Sequence, residues 1–404
     1  MPLASAGVGH REAVLRDAHA PMIDYGLRPH EFVERYAERE PYLQRRALRD
    51  APFAWSELDA ALQRVEPTAP LVQLFNGGPL AEERYTDVVL ELGAPRRRLA
   101  KRRFYGELRA GATLVVNGFE HYSPTALRLC ADVGRFRSAP TVGNAYLSIG
   151  GRGTFGRHWD THDVFALQLL GRKRWQVFAP TFPLPLGMHR SEGNGADCPA
   201  TPVLDCVLET GDMLYVPRGW WHLVLPLEGP SLHLSVGTYA ATVHDYVSWA
   251  CARHLPGALA ARRSLGAAAS AEDINAAVDA LRTIALSGAA RAEFEREATD
   301  REHSRTELHT ELHLALGVEG LERGDFLSIN AAHRLDATAG EVAVRGGRLR
   351  LHPLARSIVA ALGDGPLSLE SLCLKLGSAH PGAIQAAVLD LCEHDVLTIV
   401  REAE

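Results

Sequence analysis

The fold is decided by the stretch GRHWDTHDVFALQLLGRKRWQVFAP, residues 156–180. Its first part allows two geometries, because His158 and His162 share one face of a helix whereas His158 and Asp160 share one face of a strand. Its second part has apolar and aromatic runs on both sides of Gly171, which is typical of two strands joined by a tight turn. The sequence therefore predicts a strand, with His158 and Asp160 pointing to the same side.

A zinc-binding helix is the alternative interpretation of HWDTH. Gly151, Gly153 and Gly156 lie just upstream, and glycine is a poor helix former. No Glu follows His158 directly to act as the base of an H-E-x-x-H protease. We therefore keep the strand prediction, in which His162 is a neighbour of the site, behind the ligands or on the substrate side, and not a ligand.

A third ligand is expected in TGDMLYVPRGWWHLVLPL, which contains a G-x5-P-x-G-x2-H pattern from Gly211 to His222. The pattern predicts a strand, a turn set by Pro217 and Gly219, and a histidine that starts the next strand and faces a barrel mouth. Taken alone, His222 is equally well explained as a buried structural histidine. Two histidines and one carboxylate, however, leave metal positions open, which indicates a non-haem Fe(II) oxygenase and not a closed structural zinc site.

Composition limits the other classes of function. The chain has 404 residues, of which 46% are hydrophobic and 23% charged, as in an ordinary globular protein. No apolar run approaches the roughly 20 residues of a membrane span, and the start lacks the apolar stretch of a secretory signal, so a cytoplasmic location is expected. The six cysteines form no C-x-x-C pair, and a net charge of −6 gives no general attraction to nucleic acid.

These motifs resemble the JmjC-type 2-oxoglutarate oxygenases, and within them the bacterial ribosomal oxygenases, a cupin-like branch that hydroxylates ribosomal proteins. The resemblance rests on the H-x-D motif at His158, on His222 64 positions later, and on Lys173 15 positions after the first ligand. The strongest local match is DTHDVFALQLLGRKRW. The resemblance extends from about residue 28 to the end, with motif-level specificity only in residues 144–238.

The resemblance implies an α+β fold: a double-stranded β-helix (cupin/JmjC) barrel, a helical dimerisation region and a C-terminal winged-helix domain. Sequence patterns agree with it, since helical patterns from Arg28 to Leu62 give way to short strands between Leu71 and Tyr239. The expected divisions are a flexible N-terminus, a JmjC/cupin catalytic domain with N-terminal helices, a helical dimerisation domain and a winged-helix-like domain, at residues 1–27, 28–240, 241–322 and 323–404.

The two C-terminal divisions rest on particular stretches. AEDINAAVDALRTIALSG predicts a helix with Gly288 as its stop, and EVAVRGGRLRLH predicts a strand pair around Gly346-Gly347. LARSIVAAL, LESLCLKL and AIQAAVLDLCEHDV predict three helices, and LTIV a final strand. The apolar stripe of the helices in residues 243–321 predicts a homodimer interface by resemblance, or packing on the barrel of the same chain.

The resemblance implies Fe(II) held by His158, Asp160 and His222, with 2-oxoglutarate and O2 as cosubstrates. The far carboxylate of 2-oxoglutarate needs a cation inside the barrel, and Lys173 is the candidate. Only three of the 43 basic residues are lysine, and a compact ammonium suits a narrow pocket better than a guanidinium. A solvent-facing basic turn, GRKRW, is the alternative. Asn144 matches a cosubstrate-side asparagine of the family.

Further residues are candidates for lining the cosubstrate pocket or a substrate groove. Ser235 and Thr238 in HLSVGTY are assigned to the pocket. Four aromatic residues could shape a groove for a substrate side chain, or simply pack in the core: Tyr146, Trp159, Trp220 and Trp221. The basic segment PRRRLAKRR, residues 95–103, could approach rRNA or an acidic partner, although a solvated helix face explains it more simply.

The implied function is hydroxylation of an arginine or histidine side chain of a ribosomal protein. One alternative keeps the iron site but assigns a small peptide or natural product as the substrate, since fold resemblance does not transmit substrate identity. A non-catalytic cupin is disfavoured by the joint presence of the three ligands and Lys173. A DNA-binding regulator is disfavoured as well, because residues 325–404 contain 7 Lys/Arg and 10 Asp/Glu whereas phosphate binding needs a basic face.

Overall fold

A computed structural model describes most of the chain. The described residues are 22–49, 53–150, 155–191, 193, 195–265, 270–301, 308–329, 340–344, 347–363, 365–377 and 380–400. They form two compact units, the first made of residues up to 137 together with 141–239, and the second of residues 138–140 together with the chain from 240 onward. Within these ranges, no helix combines the length and the apolar character that a membrane crossing requires.

The first unit is built on antiparallel sheets. Its strands, among the described residues, are β1 (Tyr42–Gln44), β2 (Val72–Phe75), β3 (Thr86–Glu91), β4 (Ala94–Leu99), β5 (Thr113–Val116), β6 (Thr141–Ile149), β7 (Asp163–Leu170), β8 (Arg172–Phe178), β9 (Leu204–Glu209), β10 (Met213–Val216), β11 (Trp221–Pro226) and β12 (Pro230–Thr238). Seven form one sheet in the order β1-β10-β7-β12-β6-β5-β2, three form a second sheet in the order β11-β8-β9, and β3 pairs with β4. The predicted series of short strands is confirmed.

The large sheet presents two different faces because side chains alternate along its strands. On β7, Val164 and Ala166 pack in one apolar cluster with Trp175 of the small sheet. Phe165 and Leu167 point the other way, into the main core that the sheet shares with the helices of the first unit. Since both faces of β7 are buried, its sequence DVFALQLL is mostly apolar and shows no regular polar alternation; Asp163 and Gln168 are its two polar residues.

The connection between β7 and β8 depends on Gly171. This residue has φ +65°, and a Cβ at its position would collide with the carbonyl oxygen of Pro230. Only glycine combines this backbone conformation with such a close approach. The tight turn predicted at Gly171 is therefore confirmed, and it carries the chain from the large sheet into the small one.

Among its described residues, the first unit also contains four α-helices, α1 (Pro29–Arg35), α2 (Trp55–Arg64), α3 (Lys101–Arg109) and α4 (Pro124–Arg137). The pattern PHEFVERYAEREPYL predicts a longer helix than α1. The helix ends early because Glu38 takes a left-handed conformation with φ +58°, and its N–H donates to Tyr215 Oη at 2.9 Å. The chain then pairs with the sheet as β1, so the N-terminal region is helical only in part.

The basic segment 95–103 spans β4 and the start of α3, and it is not one helix face as expected. Four of its six basic residues form ion pairs at 2.6–3.1 Å, namely Arg96 with Glu66, Arg97 with Glu83, Arg98 with Glu91 and Arg103 with Asp87. Acids on neighbouring elements therefore balance most of its charge. This supports the solvated structural interpretation and not an approach to rRNA.

The predicted flexible N-terminus, residues 1–27, lies outside the described residues as far as residue 21. Residues 22–27 pack into the first unit. Ile23 and Tyr25 are buried, Ile23 forms a β-bridge with Leu48, and the ring of Tyr25 stacks on Phe136. This short part of the segment is thus anchored by its side chains.

The second unit starts with helices α5 (Val243–His254), α6 (Ala271–Ala285) and α7 (Gly288–Arg301). Helix α6 confirms the prediction from AEDINAAVDALRTIALSG. It begins with a capping box, in which Ser270 Oγ accepts from the N–H of Asp273 at 3.2 Å. It ends at Ala285, and Gly288 is the first residue of the next helix as well as the expected stop.

The rest of the second unit contains the predicted strand pair, three helices and final strand, together with two short strands, Phe326–Ile329 and Leu367–Ser368, that were not predicted. They are β13 (Phe326–Ile329), β14 (Glu341–Val344), β15 (Gly347–Arg350), α8 (Pro353–Leu362), β16 (Leu367–Ser368), α9 (Leu369–Leu376), α10 (Pro381–Glu393) and β17 (Leu397–Val400). β14 pairs with β15, although Gly346 in the intervening turn lies outside the described residues. Leu327, Ile358, Leu372 and Val388 share one buried core, so these elements pack as one body.

Candidate metal centre

A cavity of about 430 Å³ is lined by residues of both sheets of the first unit. The large sheet contributes Asn144, Tyr146, His233 and Ser235, and the small sheet contributes Lys173, Trp175 and His222, among others. The remaining lining includes the segment around His158 that leads into β7. The candidate residues from three distant parts of the sequence therefore meet in one place.

His158, Asp160 and His222 form a compact group at the wall of this cavity. One ligand atom from each residue can be chosen so that all three lie within 4.8 Å of one another. Asp160 Oδ2 lies 3.6 Å from His222 Nε2, and the ring centroids of His158 and His222 are 4.2 Å apart. This donor set of two imidazoles and one carboxylate is the set predicted from the sequence, and it suits a metal with open coordination positions.

Backbone hydrogen bonds hold the group together. His158 and His222 form an isolated antiparallel bridge, in which each N–H donates to the other residue's carbonyl oxygen, at 3.2 and 2.8 Å. The carbonyl oxygen of Asp160 accepts from the N–H of Gly219 at 2.9 Å. Residues 158–162 contain no helix, so the zinc-helix interpretation is wrong. The regular strand, however, begins only at Asp163, and the extended pairing at His158 is a single bridge.

The turn before His222 has the predicted construction. β10 ends at Val216 and β11 starts at Trp221, with Pro217 and Gly219 between them. Gly219 has φ +83°, and a Cβ there would come within 2.7 Å of the carbonyl oxygen of Phe182. A side chain at this position would therefore disturb the segment that bonds to Asp160.

The two histidines are oriented so that Nε2 is left for a metal. His158 Nδ1 lies 3.2 Å from the carbonyl oxygen of Gly156, and His222 Nδ1 lies 3.2 Å from that of Trp220. A protonated Nδ1 donates to each carbonyl, which fixes the tautomer with an unprotonated Nε2. Metal-binding histidines are commonly oriented in this way, so the donor set fits a bound metal ion.

The protonation states at the site also suit a cation. Burial, reinforced by the electrostatic effect of the neighbouring His158, lowers the pKa of His222 to about 4, although the carboxylate of Asp160 opposes this effect. Burial raises the pKa of Asp160, but the charges of His222 and His158 outweigh this effect and leave the pKa below its ordinary value. At neutral pH the site therefore presents a neutral His222 and an ionised Asp160.

Lys173 lies inside the cavity and not on a solvent-facing turn. It is 2% exposed, whereas its neighbours Arg172 and Arg174 on β8 are exposed, as alternation along a strand requires. Its Nζ donates to the carbonyl oxygen of Tyr146 at 2.8 Å and lies 2.9 Å from His233 Nδ1. Burial lowers the pKa of Lys173 to about 7.

Asn144 and Ser235 line the cavity, and Thr238 does not. Asn144 faces Ser235 across the β6–β12 pairing, and its Oδ1 accepts from the N–H of Gly118 at 3.1 Å. Thr238 lies three residues after Ser235 on β12 and therefore points to the opposite side of the sheet, where Val236 belongs to the main core. The assignment of Thr238 to the pocket lining is wrong for this reason.

The aromatic candidates divide into two groups. Tyr146 and Trp159 line the cavity. Trp221 is buried beside it, and its Nε1 donates to Thr181 Oγ1 at 2.9 Å. Trp220 packs against the apolar cluster between the sheets. The core-packing alternative thus holds for Trp220 and Trp221.

His162 and several residues that the sequence did not single out also line the cavity. His162 stacks on Tyr239 with ring centroids 4.7 Å apart, in agreement with its prediction as a neighbour of the triad. Three of the residues that the sequence analysis missed are His233, Trp175 and Phe155. The first two share a strand face with Ser235 and Lys173 respectively, so strand alternation was the signal that could have found them.

Residues 115–246 match the family model described as JmjC domain. The matched range includes the three triad residues and Lys173. This match agrees with the JmjC resemblance that the sequence motifs predicted.

Curated relatives match over part of the chain. Ribosomal oxygenase 1 of Rattus norvegicus is 32% identical over 218 residues, which cover 53% of this chain and 35% of that protein. The bifunctional lysine-specific demethylase and histidyl-hydroxylase NO66 of Drosophila persimilis is 31% identical over 157 residues, 38% of this chain and 22% of that protein. The chain thus aligns with about a third or less of the length of these relatives.

Solved structures extend the similarity to nearly the whole chain. The Escherichia coli ribosomal oxygenase YcfD has a TM-score of 0.58 at 20% identity, and the match covers 95% of this chain and 99% of that one. YcfD in complex with cobalt and 2-oxoglutarate has a TM-score of 0.56 at 19% identity, covering 93% and 99%. These similarities confirm the predicted JmjC/cupin fold of mixed helices and strands around a large antiparallel sheet.

Proposed function

We propose that this protein is an Fe(II)- and 2-oxoglutarate-dependent oxygenase. The observation that carries the proposal is the occurrence of the His158–Asp160–His222 group and buried Lys173 in one cavity. The JmjC domain match and the similar proteins, which include a ribosomal oxygenase in complex with cobalt and 2-oxoglutarate, support the same class.

In this proposal the three triad residues hold the iron. Asp160 supplies the negative charge, and His158 and His222 supply neutral nitrogen donors whose orientation is fixed by their Nδ1 contacts. Bound iron supplies oxidative decarboxylation of 2-oxoglutarate by O2, coupled to hydroxylation of a substrate C–H bond. The rings of Tyr146, Trp159 and Trp175 border the cavity, limiting the access of bulk water to the reacting groups.

Lys173 binds the far carboxylate of 2-oxoglutarate. Its ammonium is buried in the cavity, where the charge–charge attraction is stronger than in water. Asn144 and Ser235 line the same cavity and provide uncharged polar groups for the rest of the cosubstrate.

The proposed substrate is an arginine or histidine side chain of a ribosomal protein. The relatives named ribosomal oxygenase and histidyl-hydroxylase support this class. Phe155, Trp159 and His162 offer flat ring surfaces at the cavity, which suit a planar side chain. The alternative is hydroxylation of a small peptide or natural product at the same iron site. Mass spectrometry of ribosomal proteins, described below, distinguishes the two.

Turnover of 2-oxoglutarate to succinate with Fe(II) tests the class of enzyme. We expect turnover by the wild type and its loss in His158→Ala. His394→Ala, which changes an exposed histidine of the second unit, is the control. Unchanged turnover in His158→Ala would disprove the proposed role of the triad.

Mass spectrometry of ribosomal proteins tests the substrate. Incubation of unmodified ribosomal proteins with the wild type should add one oxygen atom to an arginine or histidine, and incubation with His158→Ala should not. If succinate forms but no ribosomal protein gains oxygen, the small-peptide alternative is favoured.

For the second unit, the proposal includes a helical dimerisation region at residues 241–322 and a winged-helix-like domain at residues 323–404. On α6, Ile274 and Val278 are 51% and 58% exposed and lie four residues apart on one face. Sedimentation velocity should show a dimer for the wild type and a monomer for the double variant Ile274→Asp/Val278→Asp. Exposed Asn275→Asp is the matched control on the same helix, and an unchanged dimer in the double variant would oppose this interface.

The winged-helix-like segment is proposed to mediate protein contacts, because its net charge does not suit phosphate binding. Salt-sensitive binding of the full-length protein to duplex DNA would oppose this assignment. We also propose that the protein is located in the cytoplasm.

A further inference from the structure

His233 is a buried histidine in the cavity that has no role in the proposed chemistry so far. It lies on β12, is 4% exposed, and faces the cavity together with Ser235. Its Nδ1 lies 2.9 Å from Lys173 Nζ. A histidine beside the cation of an anion site is unexpected, since a protonated imidazole would repel that cation.

The hydrogen-bonding capacity of each group defines the protonation state of the Lys173–His233 pair. An ammonium has three N–H donors and no acceptor, so His233 Nδ1 accepts the hydrogen bond and is unprotonated. The carbonyl oxygen of Tyr146 accepts a second hydrogen bond from Lys173 at 2.8 Å. Two of the three N–H groups therefore have fixed protein partners, and one is left for a ligand.

Ring contacts keep the acceptor in place. The imidazole of His233 stacks on the ring of Tyr146, with centroids 4.9 Å apart and planes 7° from parallel. Trp175 meets His233 edge-on at 5.3 Å, and its ring also stacks near His222 of the triad at 6.0 Å. The acceptor of Lys173 is thus packed against the same ring that packs against a proposed metal ligand.

This packing affects the binding of 2-oxoglutarate, because a mobile lysine side chain loses much rotamer freedom when it binds a ligand. With its ammonium already held by His233 and Tyr146, Lys173 loses little further freedom, and preorganisation of this kind increases affinity. A neutral acceptor achieves this without cancelling the positive charge, whereas an acidic partner would neutralise it.

We propose that His233 is a positioning residue for the cosubstrate, a neutral acceptor that holds Lys173 in place to bind the far carboxylate of 2-oxoglutarate. This inference rests on the proposed function and extends it to a residue that contacts the cation and not the reacting atoms.

Three variants distinguish the effect of the hydrogen-bond acceptor at position 233 from the effects of side-chain size and charge. His233→Leu removes the acceptor, His233→Asn keeps a neutral oxygen near the position of Nδ1, and His233→Asp keeps an oxygen but adds a negative charge. Calorimetric binding of 2-oxoglutarate to the Mn(II)-loaded protein is the main readout. We expect at least about tenfold weaker binding in the Leu and Asp variants and a loss of less than about fivefold in the Asn variant.

Steady-state kinetics gives a second readout that a merely structural defect would not reproduce. KM for 2-oxoglutarate should rise in the Leu variant, with kcat at saturating 2-oxoglutarate nearly unchanged. Mn(II) affinity and thermal unfolding should match the wild type in the Asn and Asp variants, which keeps the comparison valid even if the Leu variant folds poorly. His394→Leu, far along the chain and exposed, is the control.

The outcomes distinguish this inference from the proposed function. If the Mn(II)-loaded wild type does not bind 2-oxoglutarate, the proposed function itself fails. If the wild type binds it and the Asp variant binds equally well, or the Asn variant binds as poorly as the Asp variant, a neutral acceptor at position 233 is not needed and the inference is overturned.

Discussion

His158 and His222, two of the proposed metal ligands, are hydrogen-bonded to each other through their main chains. Each donates its N–H to the carbonyl oxygen of the other, and their rings lie 4.2 Å apart. The two histidines are 64 positions apart in sequence, so this bridge, and not local chain geometry, sets the separation of their nitrogen donors. The third proposed ligand, Asp160, is held next to them because its carbonyl oxygen accepts a hydrogen bond from the N–H of Gly219, in the turn that precedes His222.

Loss of one triad side chain should weaken metal binding without unfolding the protein. We expect His222→Ala and Asp160→Asn to weaken Mn(II) binding by at least about tenfold, since each removes one of three proposed ligands. Calorimetric titration with Mn(II) measures this. His162→Ala lines the same cavity but lies outside the ligand set, so its Mn(II) affinity should stay near the wild-type value. Equal losses in all three variants would contradict the proposed ligand set.

Substitution of Lys173 should raise KM for 2-oxoglutarate much more than it lowers metal affinity. Lys173→Ala removes the buried charge, and we expect KM to rise by at least about tenfold. Lys173→Arg should recover little, because the guanidinium is larger and the acceptors at Tyr146 and His233 fit an ammonium. Full recovery by arginine would show that the site selects charge alone.

The affinity for 2-oxoglutarate should fall as pH rises above 7. Burial gives Lys173 a pKa of about 7, and a bound carboxylate stabilises the ammonium and raises this pKa. Below pH 7 the lysine is already protonated, and this group adds no pH dependence. Above pH 7 binding must take up a proton, so affinity should decline by up to roughly tenfold per pH unit.

Calorimetry between pH 6 and 9, in buffers that differ in ionisation enthalpy, measures both the affinity and the proton uptake. The Lys173→Arg variant provides the comparison, because arginine stays protonated over this range. A flat affinity profile with no proton uptake by the wild type would contradict the lowered pKa.

Two glycine substitutions should change stability in opposite directions. Gly171→Ala places a Cβ against the carbonyl oxygen of Pro230 at φ +65°, and we expect a loss of at least about 2 kcal/mol in the free energy of unfolding. Gly106→Ala on α3 meets open space and should gain about 0.5–1 kcal/mol from helix propensity. Urea unfolding measures both. A neutral Gly171→Ala would mean that the β7–β8 turn relaxes freely.

The strand pattern predicted much of the site because alternation is a local property. The signature GRKRW contains a lysine between two arginines, and alternation along β8 accounts for the burial of Lys173 between exposed Arg172 and Arg174. The same rule, applied along β12, would have excluded Thr238 and included His233. Thr238 was assigned to the wrong face of the strand, although its odd spacing from Ser235 can be read from the sequence.

Other features depend on contacts between distant parts of the chain. The bridge between His158 and His222 is a single pair, too short to leave a periodic pattern in the sequence. The basic segment 95–103 looked like one helix face because its partners, among them Glu66 and Glu83, are separated from it along the chain. Early termination of α1 likewise depends on Tyr215, more than a hundred residues away.

Alternation along β12 has a consequence for how this protein can change over evolution. His233 and Ser235 form one column of side chains, and Leu232, Leu234 and Val236 form another. Substitutions in the first column can alter ligand preference while the second continues to hold the domain together. Insertion or deletion of one residue within the strand would exchange the two columns and damage both. New specificities should therefore arise by replacement within β12, and changes in length should be confined to the loops.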